Sequence, residues 1–106
     1  MASGDERMEV SDAEANATFE LQHEDHTLAN AARFMLNKNP HVQFAGYSMP
    51  HPSEPVVNIR VQTTGEVTAT EAFRQSLQDL TACCAALREA FDAKVREKQA
   101  SADAGR

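Results

Sequence analysis

Apolar residues in the last third of the chain recur at alternating spacings of four and three, which is typical of a helix that packs against other helices. These residues are Phe73, Leu77, Leu80, Cys84, Leu87 and Phe91, with Val95 four positions further on. Thr68 and Glu71 have the spacing of a capping box, which predicts where this helix begins. A helix over residues 69–98 would be about 45 Å long.

So long a helix constrains the whole fold, because a few short strands cannot cover its full length. A second line of small residues runs along the same helix: Ala72, Ser76, Cys83, Ala86 and Ala90. One line can pack on a sheet of the same chain, and the other then needs a partner, since a long exposed apolar stripe favours aggregation. The sequence thus predicts obligate association and leaves open which line faces the partner.

Three segments alternate between apolar and polar residues, as half-buried strands do. Their alternating positions are Ala17, Phe19 and Leu21, then Val42, Phe44 and Gly46, then Val57, Ile59 and Val61. Pro50, Pro52 and Pro55 predict a stiff connection between the second and third strands. The order strand–helix–strand–strand–long helix predicts an α/β two-layer domain, with a short three-stranded sheet packed with two helices.

The first helix is predicted between the first two strands. Asp25 or Thr27 can cap its start, and Pro40 marks its end, because proline disfavours helical geometry in the residue before it. Its apolar stripe consists of Leu28, Ala31, Ala32 and Met35. This stripe and that of the longer helix are the predicted partner contacts.

Charge and composition indicate one folded unit between polar ends. Residues 1–16 are acidic and predicted to be a disordered tail, residues 17–98 form the predicted domain, and residues 99–106 are predicted to fray. The formal net charge of −6 does not favour unaided nucleic-acid binding, which usually requires a basic face.

Candidate chemical groups are few. His23, Glu24 and His26 do not have the helical spacing of a zinc-protease motif, so turn and capping roles are favoured over a metal-dependent hydrolase site. Cys83 and Cys84 are adjacent, lack the Cys-x-x-Cys spacing of redox pairs, and are interpreted as reduced packing residues. No catalytic constellation stands out, so we expect a protein that is not itself catalytic and has no cofactor.

Several short motifs follow one another in a familiar order and spacing. They are His26-Thr27-Leu28-Ala29-Asn30, then Lys38-Asn39-Pro40, then Phe44-Ala45-Gly46-Tyr47, then His51-Pro52-Ser53-Glu54, then Asn58-Ile59-Arg60-Val61-Gln62-Thr63. From about residue 18 to about residue 98, the chain resembles the small alpha-like subunits of eukaryotic RNA polymerases. Ala29 departs from the family's glycine, a change that adds one methyl group and would leave the contact with a partner slightly more open.

This resemblance implies a helix-mediated heterodimer with a larger alpha-like subunit, which then docks the large catalytic subunits. It also implies a nuclear protein, in nucleolus and nucleoplasm, that scaffolds assembly without catalysis. Asn39, Ser53, Asn58, Gly65 and the acidic N-terminal extension resemble the subunit shared by RNA polymerases I and III, whereas Ala45 and Pro50 resemble its counterpart in RNA polymerase II. A self-complementary homodimeric module unrelated to transcription is the remaining alternative.

Overall fold

The computed structural model describes residues 12–105 and contains three strands and three helices. In chain order these are α1 (Asp12–Ala15), β1 (Asn16–Gln22), α2 (His26–Asn37), β2 (Val42–Ser48), β3 (Val56–Thr63) and α3 (Ala69–Ala104). The strands form one antiparallel sheet in the order β1-β3-β2. The predicted two-layer architecture is confirmed; the short helix α1 is an addition that the sequence did not indicate.

The central strand β3 supplies most of the core. Val57, Ile59 and Val61 alternate with more exposed residues and are completely buried beneath the helices. Each such side chain contributes about 1.5–3 kcal/mol to folding when it leaves water. Phe19 of β1 and Tyr47 of β2 both pair with Ile59, so the two outer strands direct these aromatic rings toward the helix-covered face.

Helix α2 lies on the sheet through small residues. Asp25 caps its first turn by accepting a hydrogen bond from the backbone N–H of Thr27 at 2.9 Å. Its fully buried residues are Ala29, Ala32 and Leu36, not the whole predicted stripe. The methyl group of Ala29 therefore packs inside this chain's own core, which corrects the expectation that it affects the contact with a partner.

Strand β2 contains an irregularity that the alternating pattern did not reveal. Val42 pairs with Thr63, but Phe44, two residues later, pairs with Gln62, so β2 carries one extra residue between them. Beyond this bulge, Ala45 and Tyr47 face the core, while Phe44 faces the opposite side and is 49% exposed. The grouping of Phe44 with Val42 on one face was wrong for this reason.

Helix α3 begins as predicted. The Thr68 hydroxyl accepts from the backbone N–H of Glu71 at 3.0 Å, and the Glu71 carboxylate accepts from the backbone N–H of Thr68 at 3.1 Å. The helix continues to Ala104, past the predicted end at Lys98, and is about 54 Å long. Residues 99–104, expected to fray, are helical here.

The described residues also refine the N-terminal boundary. Ala15 is buried and Asn16 pairs with Gln62, so ordered structure begins before the predicted boundary at residue 17. The remainder of the predicted acidic tail, residues 1–11, lies outside the described residues.

Candidate partner interface

Helix α3 extends well beyond the domain that supports its start. Its buried residues, Ala69, Ala72 and Ser76, all lie in the first two turns. From Thr81 to Ala104 every residue is exposed, a length of about 36 Å. The small-residue line thus faces the sheet at its N-terminal end, and the line that begins at Phe73 is offset from it by one helical position, about 100° around the axis.

The exposed part of α3 carries large apolar side chains. Leu87 is 70% exposed and Phe91 is 66% exposed, four residues apart on one side of the helix. Val95 continues the same line one turn further on and is also exposed. Large side chains aligned in this way on a projecting helix indicate a surface that becomes buried in a complex.

The same line is anchored to the domain at its other end. Phe73 is half-buried and its ring stacks on that of Phe19, with centroids 4.6 Å apart and planes inclined by 17°. Leu77 and Leu80 are also half-buried. The stripe therefore runs without interruption from the edge of the core, through Cys84, to the exposed Leu87 and Phe91.

Helix α2 adds a second apolar surface. Leu28, Ala31 and Met35 are half-buried and lie one position round the helix from the fully buried line, and α2 packs directly against α3. Ala32 has 0% exposure in the chain alone, so it offers no surface to a partner and is removed from the predicted contacts.

Most of the described domain matches a known family model. Residues 16–90 match the model described as the RNA polymerase Rpb3/Rpb11 dimerisation domain. The chain belongs to the Rpb3/Rpb11 dimerisation domain family. The matched residues cover the sheet, α2 and the first part of α3.

Curated relatives agree with this assignment. The chain is 46% identical over 87 residues to the "DNA-directed RNA polymerases I and III subunit RPAC2" of Saccharomyces cerevisiae, an alignment that covers 82% of this chain and 61% of the relative. It is 44% identical over 84 residues to the Danio rerio protein of the same description, covering 79% of this chain and 75% of the relative. The chain thus spans about three fifths of the yeast relative's length.

A relative described as an RNA polymerase II subunit is less similar to this chain. The "Probable DNA-directed RNA polymerase II subunit RPB11" of Caenorhabditis elegans is 38% identical over 87 residues, covering 82% of this chain and 71% of the relative. Family membership therefore includes both polymerase types, and identity is higher to the I and III relatives.

The residues that carry the family motifs fall into separate groups. The Nδ1 atom of His26, at the start of α2, is 3.0 Å from the hydroxyl oxygen of Tyr47. This hydrogen bond joins α2 to β2. The neighbouring Thr27 and Leu28 continue the first turn of α2. In the next turn, the side-chain amide oxygen of Asn30 accepts a hydrogen bond from the Arg33 guanidinium at 2.6 Å. The bond between His26 and Tyr47 thus helps to fix the position of α2 on the sheet.

The other motif residues lie away from α2. Gly46 and Arg60 are cross-strand neighbours on the sheet face opposite the helices, and Gln62 is paired with Phe44 on the same face. His51 and Pro52 are exposed in the connection between β2 and β3. The family motif therefore includes a surface that the helix interface does not use.

The residues considered for metal or redox chemistry lie in the turn after β1 and on the exposed part of α3. His23 has φ 61° in the turn after β1, and the backbone N–H of Glu24 donates to the carbonyl of Pro55 at 3.2 Å. Within residues 12–105, no three His, Cys, Asp or Glu side chains are grouped to hold a metal ion. Cys83 and Cys84 are free and exposed, so in the chain alone they are not the packing residues that the sequence suggested.

Among the three helices between residues 12 and 105, none combines the length and the hydropathy of a membrane span.

Proposed function

We propose that this protein is the non-catalytic small alpha-like subunit shared by RNA polymerases I and III, and that it pairs with a larger alpha-like subunit to begin assembly. The observation that carries the proposal is the apolar stripe of α3, which leaves the domain half-buried and ends with Leu87 and Phe91 largely exposed. Membership of a dimerisation-domain family supports a partner of related fold.

The identities of the relatives support polymerases I and III over polymerase II. The I and III relatives from two yeasts, a fish and an amoeba are 44–49% identical to this chain, against 38% for the polymerase II relative. The RNA polymerase II counterpart is the second candidate, since the family includes it and since Ala45 and Pro50 resemble that type.

Burial of the stripe supplies a reasonable driving force for pairing. Covering Leu87 and Phe91 contributes about 1.5–3 kcal/mol each, and the half-buried Leu77 and Leu80 add a smaller amount. Leu28, Ala31 and Met35 on α2 widen the surface beside α3. Cys84 lies within the stripe and would become a packing residue in the complex, which restores the role first expected of it.

Further parts of the proposal follow from the same role. The pair would dock the large catalytic subunits, which carry out nucleotide transfer for rRNA, tRNA and 5S RNA, in nucleolus and nucleoplasm. The chain itself would need no cofactor and would make no specific contact with nucleic acid, in keeping with its net charge of −6. The unit that folds and pairs would comprise the described sheet and helices.

Light-scattering mass measurements test the proposal. The chain is expressed alone, and then together with the larger alpha-like subunit of polymerases I and III or with that of polymerase II. We expect the folded chain alone to self-associate as its concentration rises, because the stripe is exposed, and we expect a one-to-one complex with the I and III partner. Preference for the polymerase II partner would favour the second candidate.

A stable homodimer that ignores both partners would overturn the proposal. In that case the stripe would be self-complementary, as a homodimeric module unrelated to transcription requires.

A further inference from the structure

The sheet face opposite the helices carries a large aromatic side chain because of the bulge in β2. Without the extra residue between Val42 and Phe44, Phe44 would pair with Val61 and point into the core. With it, Phe44 pairs with Gln62 and is 49% exposed on the open face. Bulges often redirect a side chain beside a functional site.

The aromatic ring has a defined position on that face. A Cβ atom added to Gly46 would be 3.1 Å from Cζ of Phe44, so the ring lies over the place where a side chain at position 46 would project. The ring forms part of an open groove of about 380 Å³, whose lining also includes Thr18, Ser48 and Arg60. The groove therefore combines an apolar surface with polar groups on adjacent strands.

A cation lies in this groove without a counter-charge. Arg60 is exposed on the central strand, between Thr18 and Gly46, and its side chain has no ion pair or hydrogen bond with any residue in the described range. Glu20, which pairs with Asn58 on the same face, is not within ion-pair distance of it. Of the residues that line the groove, Arg60 alone carries a charge, so the groove is locally positive although the whole chain has a net charge of −6.

We propose that this face is a second docking surface, which binds an extended segment of a further polypeptide of the polymerase. The segment presents an aspartate or glutamate to Arg60 and an adjacent apolar side chain to Phe44. An arginine can bind a carboxylate with two parallel hydrogen bonds, which fixes the register of the segment across the strands. The inference rests on the proposed function, because the further polypeptide is a component of the assembly that the heterodimer joins.

The geometry separates this surface from the helix interface. The stripe of α3 lies in the helical layer, whereas Phe44 and Arg60 lie on the other side of the sheet. The larger alpha-like subunit, which is proposed to pair with the stripe of α3, would lie on the helical side of the sheet. These positions favour a third polypeptide over the larger alpha-like subunit as the occupant of the groove.

Charge reversal in the co-expressed heterodimer tests the proposal. Arg60→Glu should leave the one-to-one complex and its melting temperature unchanged, and should lower recovery of the large polymerase subunits on the tagged heterodimer at least about tenfold. Phe44→Ala should lower recovery less. Arg96→Glu, the same change on the distal part of α3, is the matched control and should behave as the unmodified chain.

The outcomes separate this inference from the proposed function. If the unmodified chain does not pair with the larger alpha-like subunit, the proposed function fails. If it pairs and Arg60→Glu recovers the large subunits normally, only the second docking surface is wrong. Loss of the heterodimer itself in Arg60→Glu also contradicts a separate surface.

Photo-crosslinking identifies the occupant. A photoreactive amino acid in place of Ser48 is incorporated into the assembled polymerase, and the crosslinked peptide is identified by mass spectrometry. We expect a peptide from a third chain with an acidic residue next to an apolar one. Crosslinks to residues 1–11 of this chain or to the larger alpha-like subunit, or none at all, would overturn the proposal.

Discussion

The ring of Phe73 on α3 stacks on the ring of Phe19 on β1, with centroids 4.6 Å apart and planes inclined by 17°. This contact anchors the first part of the apolar stripe of α3 on the sheet. The helix rests on its own domain through the buried Ala69, Ala72 and Ser76, and from Thr81 onward it projects into solvent. The stack thus sets the direction in which the helix projects.

Phe73→Ala should destabilise the chain expressed alone. The half-buried ring loses both its apolar contacts and the stack on Phe19, and we expect a loss of about 2–4 kcal/mol in the free energy of unfolding. Urea denaturation followed by circular dichroism measures it. Phe91→Ala is the matched control and should change stability by less than about 0.5 kcal/mol, because its ring is exposed. Equal effects would show that distal α3 packs on its own domain.

Leu87→Ala combined with Phe91→Ala should leave the isolated chain stable and weaken the heterodimer. If Leu87 becomes fully buried in the complex, its truncation alone costs about 2–5 kcal/mol, and 2 kcal/mol corresponds to about 30-fold in Kd. Titration calorimetry or biolayer interferometry measures the affinity. Gln78→Ala with Glu89→Ala, on the opposite side of α3, is the control pair. A heterodimer of unchanged affinity after the first pair would rule out the proposed interface.

The sequence alone predicted the features that depend on local chemistry. The alternation of Val57, Ile59 and Val61 identified the central strand, since burial on one face requires a period of two. The capping box at Thr68 and Glu71 located the start of α3 within one residue. The continuation of this helix to Ala104 was missed, although the alanines near its end are strong helix formers.

Features that depend on pairing and packing between elements were not predictable in this way. The bulge that turns Phe44 outward depends on how β2 pairs with β3, and an alternating pattern assumes that pairing is unbroken. On α2, alanines occupy both the core line and the line beside it, so hydropathy did not separate Ala29, which is buried, from Ala31, which is half-buried. The groove beside Arg60 depends on the same bulge, because Phe44 forms part of its lining, and no sequence pattern indicated it.

Thr68→Ala should destabilise the chain by about 1 kcal/mol, because the hydroxyl that accepts from the N–H of Glu71 is lost at the start of α3. Thermal unfolding measures the change. Thr81→Ala is a matched control, since its hydroxyl only donates to the Leu77 carbonyl within the exposed part of the helix, and we expect an effect within about 0.5 kcal/mol. A double-mutant cycle with Glu71→Ala should give a coupling energy clearly different from zero, since the two residues cap each other.

Gly65→Ala tests the turn that connects β3 to α3. Gly65 has φ 101°, a conformation that residues with a side chain rarely adopt, and no atom lies within 4 Å of the Cβ position. Any loss of stability therefore comes from the backbone and not from a clash, and we expect about 1–2 kcal/mol by urea denaturation. Gly105→Ala is the matched control, because Gly105 has φ −77° and an added Cβ there meets only ordinary contacts. If both variants unfold at the same urea concentration as the unmodified chain, the turn does not need glycine. In that case, the connection that orients α3 against the sheet has a different backbone conformation from the one described.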